Sequence, residues 1–258
     1  AIEARVLSYL ADEHWRLEVF KTHGKIYEAS AAQMFHVPIE SITKGSPLRQ
    51  KGKIAELALG YGGSVGALTS MGALEMGLTE QELPQLVKAW RTANSRIVNY
   101  WKTIEQAAIQ AIKDKPTMVT HGISFIKQRG ILFVTLPSGR RLAYAKPRIE
   151  QNRFGRECVT YMGLDVSKKW TRIETFGGKL VENLVQAVAR DCLAEAIIKL
   201  EKMGYPFVFH VHDEVILDVP KGQGSLQEVT QRMGDEIPWA KGLPLKAEGY
   251  ETEFYKKD

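Results

Sequence analysis

The sequence predicts an α+β fold, in which an antiparallel sheet with packing helices carries a largely helical insertion. Three observations predict it. Apolar residues recur at helical spacing through much of residues 11–112. Residues 131–144 have the alternation and the central turn of a β-hairpin, and residues 205–219 contain two apolar strands around an acidic centre. At 258 residues, the chain is long enough for a large core in one or two domains.

Residues 1–10 predict a strand. Alternation would place Glu3 and Arg5 on one face and apolar side chains on the other. A charged face on an edge strand requires no function, so this segment by itself indicates none.

Residues 11–36 predict two helices, separated by a polar break at residues 22–24, with Asp12 as a candidate cap. The second helix, at about residues 26–35, should end before Pro38, because the residue that precedes a proline disfavours helical angles.

The middle of the chain predicts three further helices, at residues 48–59, 65–75 and 86–112. Small residues at 60–64 allow the backbone to bend sharply or to approach a ligand. Thr79 and Glu82 fit a capping box for the third helix, and Pro84 favours a start a few residues later.

The second half predicts a hairpin over residues 131–144, a polar stretch to about Ser167, a helix at 179–203, a hairpin at 205–219, a helix near 226–233 and a last strand at 245–250. Gly204 is positioned to end the long helix as its C-cap.

The hairpin at residues 205–219 carries an acidic centre, His212-Asp213-Glu214. In a straight strand, Asp213 would lie in an apolar row and cost several kcal/mol unless it were paired. A tight turn at His212-Asp213 or a bound cation would each remove this cost, and the two are compatible. Carboxylate oxygens suit Mg²⁺, and rigid strands would fix their position. A polar turn without function remains the alternative.

Charge is distributed unevenly along the chain. The formal net charge is +5, and residues 127–156 contain eight Lys or Arg residues against Glu150 as the only acid, with aromatic residues between them. This composition is typical of a surface that faces a polyanion, although a solvated basic surface would have the same composition.

Two cysteines without metal-ligand spacing, Cys158 and Cys192, favour a reducing, cytoplasmic setting. The first residues contain neither a signal peptide nor a membrane span. Because the chain opens without Met, inside an element, we expect it to be a fragment of a longer polypeptide.

The predicted helix at 48–59 and the residues just after it carry a stripe of regularly spaced basic, apolar and aromatic side chains. Arg49, Lys53, Leu57 and Tyr61 are spaced by four residues, and Gly62 follows. Residues at this spacing share one side of a helix, so two cations and an aromatic ring would line it together. Such a stripe suits a triphosphate beside a base. Arg and Lys at this spacing are also common on solvated helices.

Three segments of the chain resemble, in order, the three polymerase motifs of the family A DNA polymerases, the bacterial DNA polymerase I type. They are Ile2-Glu3-x-Arg5, the stripe from Arg49 to Gly62, and Val211-His212-Asp213-Glu214. Their sequences resemble phage members of the family most. The resemblance covers essentially the whole chain. It implies a right-hand polymerase fold, with palm at residues 1–10 and 131–258 and helical fingers at 11–130.

For the chemistry, the resemblance implies two-metal nucleotidyl transfer. Asp213 matches a metal-binding Asp and Glu214 the adjacent acid. The family's other metal-binding Asp would precede Ala1, so we expect two Mg²⁺ ions with one ligand set incomplete in this chain.

For the incoming deoxynucleoside triphosphate, the resemblance implies that Arg49 and Lys53 contact phosphates and that Lys53 can donate a proton to pyrophosphate. Leu57 occupies a position that is usually aromatic, and Tyr27 one that is often a phosphate-contacting His. Glu3 matches the steric gate against ribose and is expected to bond with Tyr61, which matches the tyrosine at the templating site.

For DNA, the resemblance implies that Gly62 follows the templating tyrosine, that Gln186 contacts the minor groove and that His212 lies near the primer terminus. The basic segment that contains Arg140 and Arg141 would track the DNA backbone.

Three functions therefore remain. The first is a template-directed DNA polymerase whose partners are primer–template DNA, deoxynucleotides and a missing N-terminal thumb and palm segment, with no membrane partner. The second is a non-catalytic fragment that binds primer–template DNA. The third is a metal nuclease built on His210, His212 and Asp213, for which no further ligands are found in the sequence.

Overall fold

The computed structural model describes residues 2–113 and 117–255, so Ala1 lies outside the described residues. The α+β fold is confirmed. The helices are α1 (Ile2–Leu10), α2 (His14–Lys21), α3 (Ile26–Phe35), α4 (Pro47–Leu59), α5 (Val65–Ser70), α6 (Glu82–Ala93), α7 (Ser95–Ile112), α8 (Gly177–Lys202) and α9 (Leu226–Met233). The strands are β1 (Met118–Thr120), β2 (Ile123–Gln128), β3 (Ile131–Thr135), β4 (Arg141–Gln151), β5 (Glu157–Leu164), β6 (Trp170–Thr175), β7 (Phe207–Val211) and β8 (Glu214–Leu217).

Strands β1 to β6 form an antiparallel meander in chain order, within the described part of the chain. The predicted hairpin is its β3–β4 pair, in which Thr135 lies opposite Arg141. The sheet is larger than the sequence predicted, because the polar stretch before Ser167 contains most of β4 and all of β5. In β4, exposed polar side chains are interspersed with buried ones, which makes this part of the segment resemble a loop in composition.

The prediction of a strand at residues 1–10 is wrong, since this segment is helix α1. Val6, Leu7 and Leu10 are buried, and their spacing places them on one helical face. Glu3 and Arg5 therefore do not share a strand face. Arg5 donates hydrogen bonds to the backbone carbonyls of Phe20 and Pro244 instead.

The last predicted strand, at residues 245–250, is not formed. This segment runs beside α9, where Leu226 and Thr230 lie close to Gly249, and the carbonyl of Pro244 accepts from Arg5. A strand needs the backbone of a neighbouring strand, and here the neighbours are a helix and a side chain.

Two of the predicted helices differ in length. The stretch at 86–112 is divided into α6 and α7 at Asn94, which has non-helical backbone angles and donates from its side chain to the carbonyl of Trp90. Helix α6 begins at Glu82, earlier than Pro84 suggested, because a proline in the first turn costs no helical hydrogen bond. Helix α5 ends at Ser70 rather than near residue 75.

One apolar cluster joins the helices to the sheet. It runs from Val6 of α1 through Ile54 of α4 and Trp90 of α6 to Phe125 of β2 and Leu184 of α8. The helices that carry the predicted site residues thus share one core. No helix among the described residues has the length and apolar character needed to cross a membrane.

Candidate active site

Helix α4 begins with two local signals. The Ser46 hydroxyl accepts from the backbone N–H of Arg49, and Pro47 occupies the first turn. The side facing the core carries Ile54, Ala55 and Leu59. The opposite side carries Arg49, Lys53 and Leu57 of the predicted stripe, which are partly or fully exposed. These three residues share one side of α4, as their spacing predicted, and the partly exposed Tyr61 follows in the turn just beyond Leu59.

Contacts of Gly52 and Glu56 with neighbouring helices fix the orientation of α4. A Cβ built on Gly52 would lie 2.2 Å from the carbonyl oxygen of Tyr27, so α3 and α4 pack with their backbones in close approach. Further along, Glu56 accepts two hydrogen bonds from the buried Arg16 and one from the indole of Trp90. These contacts determine which side of α4 faces outward.

Arg49 is held by two consecutive residues of α3. Its Nε donates to Glu28 Oε1 at 2.7 Å, and its guanidinium carbon lies 5.5 Å from the centre of the Tyr27 ring. Burial raises the pKa of Glu28, but the hydrogen bond and the charge of Arg49 outweigh it, so that the pKa is lowered overall. Glu28 is therefore ionised at neutral pH. By contrast, Lys53 has no ion-pair partner among residues 2–113 and 117–255.

Tyr61 connects α4 with α1 and α8. Its hydroxyl lies 3.5 Å from Glu3 Oε2, so the predicted pairing of these two residues is present as a long contact. Burial raises the pKa of Tyr61, and the charges of Glu3 and Glu182 raise it further, so that the hydroxyl remains protonated. Next to it, Gly62 adopts φ +83°, in the left-handed region that favours glycine.

Helix α8 begins directly against Tyr61. A Cβ built on Gly178 would lie 2.1 Å from the Tyr61 carbonyl oxygen. Further along, Gln186 and Arg190 are exposed one turn apart, while the amide of Asn183 donates to the hydroxyl of Tyr144. Gln186 is thus free to contact a ligand that lies along α8.

The two arginines of the β3–β4 turn differ. Arg140 is tied to α8, with its Nε 2.6 Å from Asp191 Oδ1 and one Nη 2.8 Å from the Ala187 carbonyl oxygen. Arg141 is exposed, with its guanidinium carbon 5.8 Å from the centre of the Phe133 ring. Arg140 anchors the turn, whereas the charge of Arg141 faces outward.

The β7–β8 pair is the predicted hairpin. Val211 lies opposite Glu214, and His212 and Asp213 form the turn, with His212 at φ +52°. Asp213 and Glu214 are exposed at the tip, so the turn removes Asp213 from the apolar row. Because His212 lies in the turn, it does not share a strand face with His210, which removes the geometric basis of the nuclease hypothesis.

The described residues form two separate groups of predicted site residues. One group joins Glu3, Tyr61 and the α4 stripe, while the other is the acidic tip of the β7–β8 hairpin. Within the described ranges, no hydrogen bond or ion pair joins the groups, and no three His, Cys, Asp or Glu residues cluster in a way that could hold a metal.

Sequence reasoning missed Glu28 and the Arg16–Glu56 pair. Glu56 is a charged residue on the buried side of an amphipathic helix, and this is the signal that could have identified it. Nothing in the sequence connects Glu28 with Arg49, which lies 21 positions later.

A family model described as DNA polymerase family A matches residues 1–253. The chain is 65% identical over 260 residues to a DNA polymerase of Bacillus phage SP02, covering 100% of this chain and 40% of that protein. It is 26% identical over 256 residues to the thermostable DNA polymerase I of Thermus aquaticus, covering 96% of this chain and 25% of that protein. The chain thus spans between a quarter and two fifths of the length of these relatives.

Among solved structures, the chain resembles the POL domain of Pol1 from M. smegmatis, in complex with DNA primer-template and dNTP. The TM-score is 0.61 at 22% identity, with 93% of this chain and 36% of that chain covered. At this identity, the likeness establishes the fold and not the activity.

Proposed function

The chain belongs to DNA polymerase family A, and from this premise we propose that it takes part in template-directed DNA synthesis. The observation that carries the proposal is the outward side of α4, where Arg49 and Lys53 lie in line with Tyr61, and Tyr61 meets Glu3. The reaction transfers a nucleotide from a deoxynucleoside triphosphate to a primer. The primer 3′-oxygen forms a bond to the α-phosphorus, the bond to pyrophosphate breaks, and the 3′-hydroxyl gives its proton to a solvent water molecule.

The proposed roles follow from residue chemistry and exposure. Arg49 and Lys53 bind the triphosphate, and Lys53, which has no ion-pair partner in the described ranges, is available to protonate the departing pyrophosphate. Tyr27 lies beside Arg49 and donates a further hydrogen bond to phosphate. Leu57, which is 52% exposed, packs against the incoming base.

Sugar and template are recognised at the end of α4. Glu3 occupies the space that a ribose 2′-hydroxyl would need, and its contact with Tyr61 limits its movement. Gly62 provides the sharp bend after Tyr61 where the template base enters.

DNA would bind along α8 and the adjacent turns. Gln186 contacts base edges in the minor groove, Arg141 contacts phosphate, and His212 lies near the primer terminus. Because Arg140 is already paired with Asp191, its contribution to DNA binding is to hold the turn that presents Arg141.

Asp213 and Glu214 would hold Mg²⁺. They are adjacent, exposed carboxylates, and Mg²⁺ is commonly bound by one or two carboxylates together with substrate phosphates. When bound, the metal supplies charge neutralisation at the transferred phosphoryl group. The described residues add no third acidic ligand, so we propose that a segment outside this chain, containing the thumb and the rest of the palm, completes the sites for two ions.

We also propose the domain division that the resemblance implies, with residues 1–10 and 131–258 in the palm and 11–130 in the fingers. Helix α1 then takes the position predicted for a palm strand. Strands β1 and β2 are hydrogen-bonded into the same sheet as β3, so the boundary at residue 130 lies inside a sheet.

The two buried free cysteines suit a cytoplasmic setting.

The proposal is tested by primer extension with the polymerase polypeptide that contains this chain together with the completing segment, a primed template, Mg²⁺ and deoxynucleotides. Extension should occur in the parent and be lost in Asp213→Ala. The matched control is Asp218→Ala, which removes an exposed carboxylate just beyond the same hairpin and should retain extension. Equal extension by the parent and Asp213→Ala would contradict the proposed role of the hairpin tip.

The isolation of Asp213 and Glu214 from a third acid favours a second candidate function, binding of primer–template DNA without chemistry. Fluorescence anisotropy separates the two candidates. Salt-sensitive binding without extension by the parent would support the binding function for this chain.

A further inference from the structure

Arg49 is oriented before any ligand arrives. Glu28 accepts from its Nε at 2.7 Å, and the Tyr27 ring lies beside its guanidinium carbon at 5.5 Å. The side chains of Glu28 and Arg49 are only 13% and 22% exposed. The long, flexible side chain of Arg49 is thus held by a hydrogen bond at its Nε and by the Tyr27 ring beside its guanidinium plane.

The opposite edge of the guanidinium is free. Among the described residues, no partner binds either Nη of Arg49, and its recorded contacts involve its Nε, its backbone N–H and the Tyr27 ring. Two parallel N–H groups in a rigid fork match two oxygens of a phosphate. The contact with Glu28 at Nε therefore leaves both Nη groups available for phosphate.

Lys53 provides the contrast on the same side of α4. It lies one turn further along and has no hydrogen-bonding or ionic partner among residues 2–113 and 117–255. Of the two cations proposed to bind the triphosphate, one is held by neighbouring side chains and the other is unpaired in the described residues. Fixing is useful for Arg, because directional two-point binding depends on the orientation of the guanidinium plane.

We propose that Glu28 is a positioning residue that orients the guanidinium of Arg49 for two-point binding of the triphosphate of a nucleotide. This inference rests on the proposed function, which assigns the triphosphate to Arg49. It goes beyond that function because Glu28 acts through Arg49 and does not touch the substrate.

The alternative effect of Glu28 is purely electrostatic. A carboxylate beside Arg49 reduces the positive charge that attracts phosphate, so a carboxylate without a positioning role would weaken binding. Removing Glu28 would weaken triphosphate binding if Glu28 positions Arg49 and would strengthen it if Glu28 acts only through its charge. A binding measurement therefore separates the two effects.

The test measures binding of a fluorescent deoxyadenosine triphosphate, and of inorganic tripolyphosphate as its competitor, to the purified chain. Glu28→Ala should weaken both by about tenfold. Glu28→Gln should remain within about twofold of the parent, because the amide oxygen still accepts from Nε. Binding of primer–template DNA without nucleotide should be unchanged in both variants. Circular dichroism and thermal unfolding verify that each variant is folded.

A double-mutant cycle with Arg49→Ala distinguishes positioning from a general structural effect. Glu28→Ala should have no further effect on triphosphate binding when Arg49 is already absent. An equal loss in both backgrounds would overturn the proposal. Tighter binding by Glu28→Ala would also overturn it, as would a loss in Glu28→Gln equal to that in Glu28→Ala.

Failure of the inference and failure of the proposed function give different results. If Arg49→Ala weakens triphosphate binding but Glu28→Ala does not, the proposed function stands and the role of Glu28 is wrong. If Arg49→Ala leaves triphosphate binding unchanged, the assignment of the triphosphate to α4 is itself wrong.

Discussion

Arg16 of α2 and Glu56 of α4 form a buried two-point ion pair, with N–O distances of 2.8 and 2.5 Å. Their side chains are 2% and 5% exposed. Arg16 also donates to Asn94 at the junction of α6 and α7, and the indole of Trp90 donates to Glu56. This pair ties the helix that carries the stripe to three other parts of the helical region.

Breaking this pair should destabilise the fold strongly. Arg16→Met leaves the Glu56 carboxylate buried without a counter-charge, and we expect a loss of about 3–5 kcal/mol in the free energy of unfolding. Urea denaturation of the parent and the variant measures it.

The matched control is the Lys51–Glu82 pair, which joins α4 to a different helix, α6, and lies at the surface. Lys51→Met should change the unfolding midpoint far less than Arg16→Met, because an exposed pair contributes little. Similar changes in the two variants would show that burial of the Arg16–Glu56 pair does not increase its contribution to stability.

Removing the Glu3 carboxylate should relax discrimination between sugars. In the proposed function, Glu3 fills the space of a ribose 2′-hydroxyl, and its contact with Tyr61 keeps it there. We expect Glu3→Ala to raise incorporation of ribonucleotides relative to deoxynucleotides by about tenfold or more. Competitive primer extension measures the ratio. Glu80→Ala, at an exposed acid near the start of α6, is the control and should leave the ratio unchanged.

The chemistry-bearing segments could be predicted because their signals are local. An acid between two apolar strands is favoured in a turn or beside a cation, and the first of these predictions agrees with the position of Asp213 at the hairpin tip. A four-residue spacing places Arg49 and Lys53 on one side of a helix. Helix α1 was mistaken for a strand because its first residues alternate between apolar and charged, and the helical pattern becomes visible only when Leu7 and Leu10 are included.

The remaining features depend on tertiary packing. The contact of Glu28 with Arg49 exists because α3 and α4 approach closely at Gly52, and no local pattern encodes that approach. The second half of β4 and strands β5 and β6 were not predicted, because a sheet with one solvated face needs few apolar residues. In both cases the determining interaction joins segments that are distant in sequence.

Gly178→Ala should disturb the site through the backbone. The new Cβ would lie 2.1 Å from the Tyr61 carbonyl oxygen, so α8 or Tyr61 must shift. We expect a loss of about 1–3 kcal/mol in the free energy of unfolding. Gly66→Ala in α5 is the control, since a Cβ there meets nothing within 4 Å. That variant should be neutral or slightly more stable, by about 0.5–1 kcal/mol, because alanine favours a helix.

The stabilisation from the Glu28–Arg49 pair should depend on pH in a defined direction. The pKa of Glu28 in the folded protein is lowered from the usual 4.5, because the hydrogen bond and charge of Arg49 outweigh the effect of burial. For an acid with a lowered pKa, the stabilisation is fully present above the unfolded-state pKa and is lost as the pH falls through the folded-state pKa. The difference in unfolding free energy between the parent and Glu28→Gln should therefore shrink below about pH 4.5. A difference that grows on acidification would contradict this.

Arg140 and Arg141 should give different phenotypes despite their adjacency. Arg141 is exposed, so Arg141→Ala should weaken binding of primer–template DNA and reduce the slope of log K against log salt concentration by about one, the effect of losing a single phosphate contact. Arg140→Ala removes the ion-pair partner of the mostly buried Asp191, which keeps only the hydrogen bond from Ser138, and it removes the bond to the Ala187 carbonyl, so it should lower the unfolding midpoint more than Arg141→Ala does. Anisotropy titrations at several salt concentrations and thermal unfolding separate the two effects. If the salt slope fell only in Arg140→Ala, the guanidinium that contacts DNA would be that of Arg140, and its pairing with Asp191 would have to open on binding.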